Sequence, residues 1–209
     1  SINDIYVSVP SLGLRLLQRR HLMVQEFMDR ALLLASNQRG EMDLCQAWHA
    51  FRAWFSTSRV DEGSEDWRLF LAWYLFHWQA PARPSIAEWY VSERPSEVSA
   101  EEVRMVATAS RSPLDFYEIH TLPEMGCFYV KSLFLGYQQS YAFAELPDGL
   151  KVGDVFFGKV IHFQQDKGVI AGHSPAFPPS AKVPIAYLKR QLILRRKDDF
   201  LNNFSMFES

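Results

Sequence analysis

Apolar positions change period once along this chain. From Leu12 to Leu34 they recur at helical steps (Leu12, Leu16, Leu17, Met23, Val24, Phe27, Met28, Ala31 and Leu34), and Asn37 and Gly40 fit a helix end. The spacing of Leu44, Ala47, Trp48, Phe51 and Phe55 predicts a second helix from about Met42 to Ser56. Ser64, with Glu65 and Asp66 behind it, suits the start of a third helix over 65–78. That segment is apolar nearly all round, so it belongs in the middle of a bundle. Pro81 and Pro84 break the chain. Ser85 opens a short helix, and Ser99 with Glu102 has the capping-box spacing for another, ending near Ala109.

After Arg111-Ser112-Pro113 the period becomes two. Extended segments are predicted over 115–122, 127–135, 140–146, 155–163 and 168–172, with turns at Gly136–Gln139, Pro147-Asp148-Gly149 and Gln164–Lys167. In the first segment Tyr117, Ile119 and Thr121 share one face and Phe116, Glu118 and His120 the other. Phe116 is the apolar exception on a polar face. Pro175, Pro178 and Pro179 form a stiff connection to a last helix from about Pro184 to Phe200, with Ile185, Leu188, Leu192 and Ile193 as its apolar face. The expected fold is α+β. A Trp-rich helical bundle (1–112) precedes a small antiparallel β-barrel-like domain with a C-terminal helix (113–209).

Composition adds one surplus and one asymmetry. Hydrophobic residues are 48% and charged residues 22% of the chain, which suits a globular protein. Aromatics reach 14%, with six Trp, all before Pro113. Core packing is the plainer use for them, and Trp54, Trp73 and Trp89 are candidates for a partner-binding surface. Net charge is −2. Nine acidic residues lie between Ser58 and Glu102, whereas Lys182 to Lys197 holds six basic residues and no acid. Lys189, Arg190, Arg195, Arg196 and Lys197 are therefore candidates for nucleic-acid contact, against the ordinary alternative of a solvated face.

Catalytic signatures are missing. The six histidines form neither His-x-x-x-His nor His-Glu-x-x-His, and no Gly-x-Ser-x-Gly elbow or phosphate-binding glycine loop occurs. His162 and His173 fall on or beside neighbouring strands, where they could approach one another, and His120 completes the set for a pocket between the two halves. Cys45 and Cys127 read as two reduced, buried thiols. Gly153 and Gly158 read as turn and twist positions. No metal or cofactor is expected. The opening SINDIYVSVP lacks the basic start and apolar run of a signal peptide, and no run suits a membrane span, so a cytoplasmic protein without membrane contact is expected.

The segments Trp48-His-Ala-Phe51-Arg-Ala-Trp54-Phe55, Phe70-Leu-Ala-Trp73 and Ile86-Ala-Glu-Trp89-Tyr90, followed by Ser110-Arg-Ser-Pro113 and Val152-Gly-Asp-Val155, resemble an uncharacterised bacterial family whose members often carry a SEC-C zinc-binding tail. The resemblance covers about residues 44–185. The cysteine pattern of that tail is absent, and the resemblance implies organisation rather than an activity. On the residues themselves, the leading expectation is a non-enzymatic interaction or adaptor domain with a protein partner. A nucleic-acid-binding protein using the basic C-terminal helix, and an enzyme with a histidine pocket between the halves, are the alternatives.

Overall fold

The computed structural model describes residues 12–55, 65–79, 83–122, 127–134, 140–143, 145–163 and 167–191. Helix α1 (Leu12–Phe55) is two helical arms joined at Gly40, whose φ of 76° and ψ of 173° is a backbone state open in practice only to glycine. The predicted helix end at Gly40 is thus a kink. Helix α2 (Glu65–His77) buries Leu69, Phe70, Ala72, Tyr74, Leu75 and Phe76, as an all-round apolar helix should. Helix α3 (Ile86–Glu93) and helix α4 (Ala100–Ala109) both start in complete capping boxes, Ser85 with Glu88 and Ser99 with Glu102. Arg30 from α1 reaches the Glu102 carboxylate and the Glu97 carbonyl, which ties α1 to the start of α4.

Five strands follow: β1 (Asp115–Leu122), β2 (Cys127–Ser132), β3 (Ser140–Phe143), β4 (Val155–Phe163) and β5 (Lys167–His173). The second and third are shorter than the sequence pattern suggests. Antiparallel ladders join β1 to β2, β2 to β3, β1 to β4 and β4 to β5. The order β1-β2-β3-β5-β4 returns on itself through a β3–β5 seam in which Ala142 and Lys167 are the described parallel pair. The sheet is therefore barrel-like, with one weakly paired seam. Its interior is filled by Tyr117, Ile119, Val130, Phe156, Val160 and Ile170, with Leu150 and Leu146 closing it from the 145–150 segment. Phe116, the exception on the outer face of β1, packs among Phe134, Phe157 and Phe177.

Secondary structure changes at Ser112–Pro113 as the pattern predicts, but packing does not stop there. One apolar cluster runs from α1, α2, α3 and α4 into Ile161, Val169 and Ala171 on the outer faces of β4 and β5. At its centre a Cβ on Gly172 would lie 2.4 Å from the Arg68 carbonyl oxygen, so α2 rests on bare strand backbone. Gly158, on β4 and paired with His173, would bring a Cβ to 2.6 Å from the Gly172 carbonyl oxygen. Close approach, not twist, explains Gly158. A final helix, α5, spans 182–191, beginning two residues before the expected start at Pro184. Ile185 is buried, but Leu188 is exposed rather than part of a covered face, and Leu192 and Ile193 lie outside the described residues. Cys127 is buried, whereas Cys45 is exposed, contrary to expectation.

Candidate functional site

The β1–β2 ladder sets its own outer face. Tyr117, Ile119 and Val130 point into the barrel, so the residues between them point out. Register places Glu118 opposite Lys131 and His120 opposite Tyr129. The His120 and Tyr129 rings stack, with centroids 4.9 Å apart and planes 15° apart. From the start of α5, the Lys182 ammonium donates to Glu118 Oε1 at 2.6 Å, and His120 Nε2 lies 3.3 Å from Glu118 Oε2. Burial acts to raise the Glu118 pKa, but Lys182 and His120 outweigh it and hold the carboxyl below its ordinary value. The face thus combines a pair of parallel rings, two ammonium groups and one neutralised carboxylate. It belongs to strands other than β4 and β5, which carry the helices.

A second feature is a groove along β5. Leu17, Gln18 and His21 of α1 face Gly168, Val169 and Ile170 across a cavity of about 310 Å³. An adjoining cavity of about 360 Å³ continues past His21 to Arg68, Asp148, Gly172 and His173. Burial lowers the His21 pKa; nearby Glu145 opposes this and Arg68 adds to it. His173 is buried, with Nδ1 2.8 Å from the Ser174 carbonyl oxygen.

The third is interior. Lys159, on β4, is fully buried, and its ammonium donates to the carbonyls of Ala109 and Ser112 at the end of α4, where a helix leaves carbonyls without partners. The Phe76 ring lies 5.7 Å from Nζ. Burial draws the Lys159 pKa down to about 7. Burial first, and the Lys159 charge second, draw His77 down to about 3 and His162 to about 4. Lys159 is an internal cap, far from an accessible nucleophile.

The residues singled out from sequence scatter among these places. His120 sits on the β1–β2 face and His173 in the groove. His162 lines a different cavity with Arg20, Arg104 and Thr108. His162 and His173 do not approach one another: His162 is registered with Gly168 and His173 with Gly158, at opposite ends of the β4–β5 ladder. His162 and His173 therefore line separate cavities, each between helix and strand residues. Trp73 joins an aromatic ridge with Phe51, Phe70 and Trp78, which Trp48 and Trp67 extend. Trp48, Trp67, Trp73, Trp78 and Trp89 are all half-buried. The Arg39 guanidinium sits 4.6 Å over the Trp89 ring. The Trp54 side chain lies outside the described residues. Of the basic cluster, Lys189 and Arg190 are on α5, Arg190 exposed, while Arg195, Arg196 and Lys197 lie outside the described residues. Among the described residues no group of three His, Cys, Asp or Glu could hold a metal ion, and no helix is long and apolar enough to cross a membrane.

Neither the known protein families, the curated proteins nor the solved structures contain a match to this chain. The functional reading therefore rests on geometry. The sequence reading missed the His120–Tyr129 pair and Lys182. The alternation of Phe116, Glu118 and His120 marks the outer face of β1, but the partners come from the β1–β2 register.

Proposed function

We propose that this protein binds single-stranded nucleic acid on the outer β1–β2 face of its barrel-like sheet. The carrying observation is the stacked His120–Tyr129 ring pair with Lys131 and Lys182 beside it. Rings offer a surface on which bases stack whatever their sequence, and flanking ammonium groups neutralise the phosphates between them. Partly open five-stranded barrels that bind oligonucleotides use the face of their second and third strands, and here β2 contributes Tyr129 and Lys131. That likeness is one of architecture, and the rings and cations carry the function. Lys189 and Arg190 on α5 extend the cationic surface from Lys182. A net charge of −2 is compatible with this, because the basic groups are local rather than spread over the molecule.

Fluorescence anisotropy with a labelled oligothymidylate and an oligouridylate at low salt tests the reading. Base–ring stacking is worth about 1–3 kcal/mol per base, so His120→Ala with Tyr129→Ala should weaken binding about tenfold or more. Binding by the wild type should fall steeply as salt rises. Flat anisotropy for the wild type at low salt overturns the proposal.

The aromatic ridge favours a second reading, an adaptor surface for a protein partner. Trp48, Trp67, Trp73 and Trp78 are each only half-buried although large rings dominate their surroundings. On this reading Trp73→Ala, shown by its melting curve to be folded, loses proteins that the wild type captures and keeps its oligonucleotide affinity. Identical capture by the two proteins removes the reading.

A further inference from the structure

We infer that Glu118 is a built-in competitor for nucleic-acid phosphate: its carboxylate occupies the anion position at the centre of the β1–β2 face and sets how tightly a strand can bind there. This rests on the nucleic-acid reading above and deepens it.

Two groups contact this carboxylate and a third faces it across the ladder. Lys182 Nζ donates to Oε1 at 2.6 Å, His120 Nε2 is 3.3 Å from Oε2, and Lys131 stands directly opposite in the ladder. Directly opposed residues on one face have Cβ atoms about 5 Å apart, within reach of a lysine stem. The Glu118 side chain is only 13% exposed, so its two oxygens are held in place rather than waving in solvent. One ammonium group and an imidazole on one oxyanion, with a second lysine opposite in the ladder, are what a phosphodiester would need at the same place. Glu118 already fills that place, beside the very rings on which bases would stack.

The consequence follows from charge. A strand laid over His120 and Tyr129 brings a phosphate towards Lys182 and Lys131. It meets the Glu118 carboxylate there, and the two anions cannot share the same donors. Either the glutamate side chain swings out and surrenders Lys182, or the phosphate stays at a distance. In both cases the wild-type affinity is lower than the rings and ammonium groups alone would give. The Lys182 side chain is 43% exposed, so solvent weakens its link to Glu118 and the position of that link matters more than its strength.

Glu118→Gln keeps the size and hydrogen-bonding capacity of the side chain and removes the charge. Glu93→Gln, on the exposed surface of α3, changes net charge equally at a distant place. With the labelled oligothymidylate, E118Q should bind about tenfold tighter than wild type at low salt, the size of effect expected from removing one like charge within a few ångströms at a protein surface. E93Q should stay within about twofold, because a distant exposed charge is screened. The plot of log affinity against log salt should steepen by about one for E118Q, as Lys182 becomes available to a phosphate. Adding Lys182→Ala to E118Q should return the slope to the wild-type value. Melting curves of E118Q within about 2 °C of wild type, as for a surface substitution, keep the comparison on the folded protein. If wild type binds and E118Q matches E93Q, the competitor role is overturned while the β1–β2 platform stands. If neither wild type nor E118Q binds, both inferences fall together.

Discussion

Gly172→Ala should unfold this protein more readily than any other single methyl addition to its sheet. The added Cβ would sit 2.4 Å from the Arg68 carbonyl oxygen, 2.9 Å from the Arg68 carbonyl carbon and 2.9 Å from the Ala72 Cβ. The first two are helix backbone, which cannot turn aside as a side-chain tip can. Relief requires α2 to lift from β5, and α2 carries Leu69, Phe70, Leu75 and Phe76 into the cluster shared with Ile161, Val169 and Ala171. Overpacking a dense interior costs about 1–3 kcal/mol where neighbours can shift, and more where they are backbone. We expect a loss of about 3–5 kcal/mol, which for a chain of this size is roughly 10 °C in melting temperature. Ala72→Gly in the same chain should rescue little, since the Arg68 carbonyl remains. A G172A melting curve within about 2 °C of wild type would mean that α2 does not lie on β5 as described.

That contact separates what the sequence displays from what it conceals. Ser85 and Ser99 announce helix starts because a cap needs only residues three apart, and Glu88 and Glu102 stand where a capping box puts them. The ends of β1 and β4 are legible because alternation is local too. Gly172 looks like a strand interruption until α2, about a hundred residues earlier, is laid across it, and Gly158 until the Gly172 carbonyl is set against it. Lys159 was visible only as a charge inside the apolar run Val155–Phe163; its acceptors, Ala109 and Ser112, lie 50 and 47 residues away. The stacking of His120 on Tyr129 requires the β1–β2 register, which no periodicity fixes. The separation of His162 and His173 has the same origin: alternation marks β4 and β5 as neighbours, but only the register puts the two histidines at opposite ends. The tryptophans were legible as a surplus, and only the fold shows that five of them stop halfway into the core.

The buried basic groups should make the protein acid-labile and tolerant of mild alkali. His77 and His162 have pKa values drawn down to about 3 and about 4, from an ordinary 6.5, by burial and then by the Lys159 charge. Between these values and 6.5 the unfolded chain holds protons that the folded chain refuses. Unfolding therefore takes up protons in this window, and stability falls as pH drops through it. Lys159 has the same sign in a higher window. Its pKa of about 7 against an ordinary 10.5 means that the folded chain releases a proton that the unfolded chain keeps, so stability rises as pH climbs above 7. Each full proton difference gives a slope of about 1.4 kcal/mol per pH unit, an upper bound for side chains that water partly reaches. Above pH 9 the buried Cys127 thiol and Tyr74 phenol, both raised by burial, act in the opposite direction, so the gain should level off there. Urea titrations at intervals from pH 4.5 to 9 read the slope directly. Lys159→Met should flatten the rise between pH 7 and 9, whatever it does to absolute stability by leaving the Ala109 and Ser112 carbonyls without a donor. His77→Leu should flatten the fall below pH 6.5, and Lys159→Met should shallow it too, because the same ammonium charge suppresses protonation of His77 and His162. A wild-type stability that is level from pH 5 to 9 would contradict the burial of all three groups.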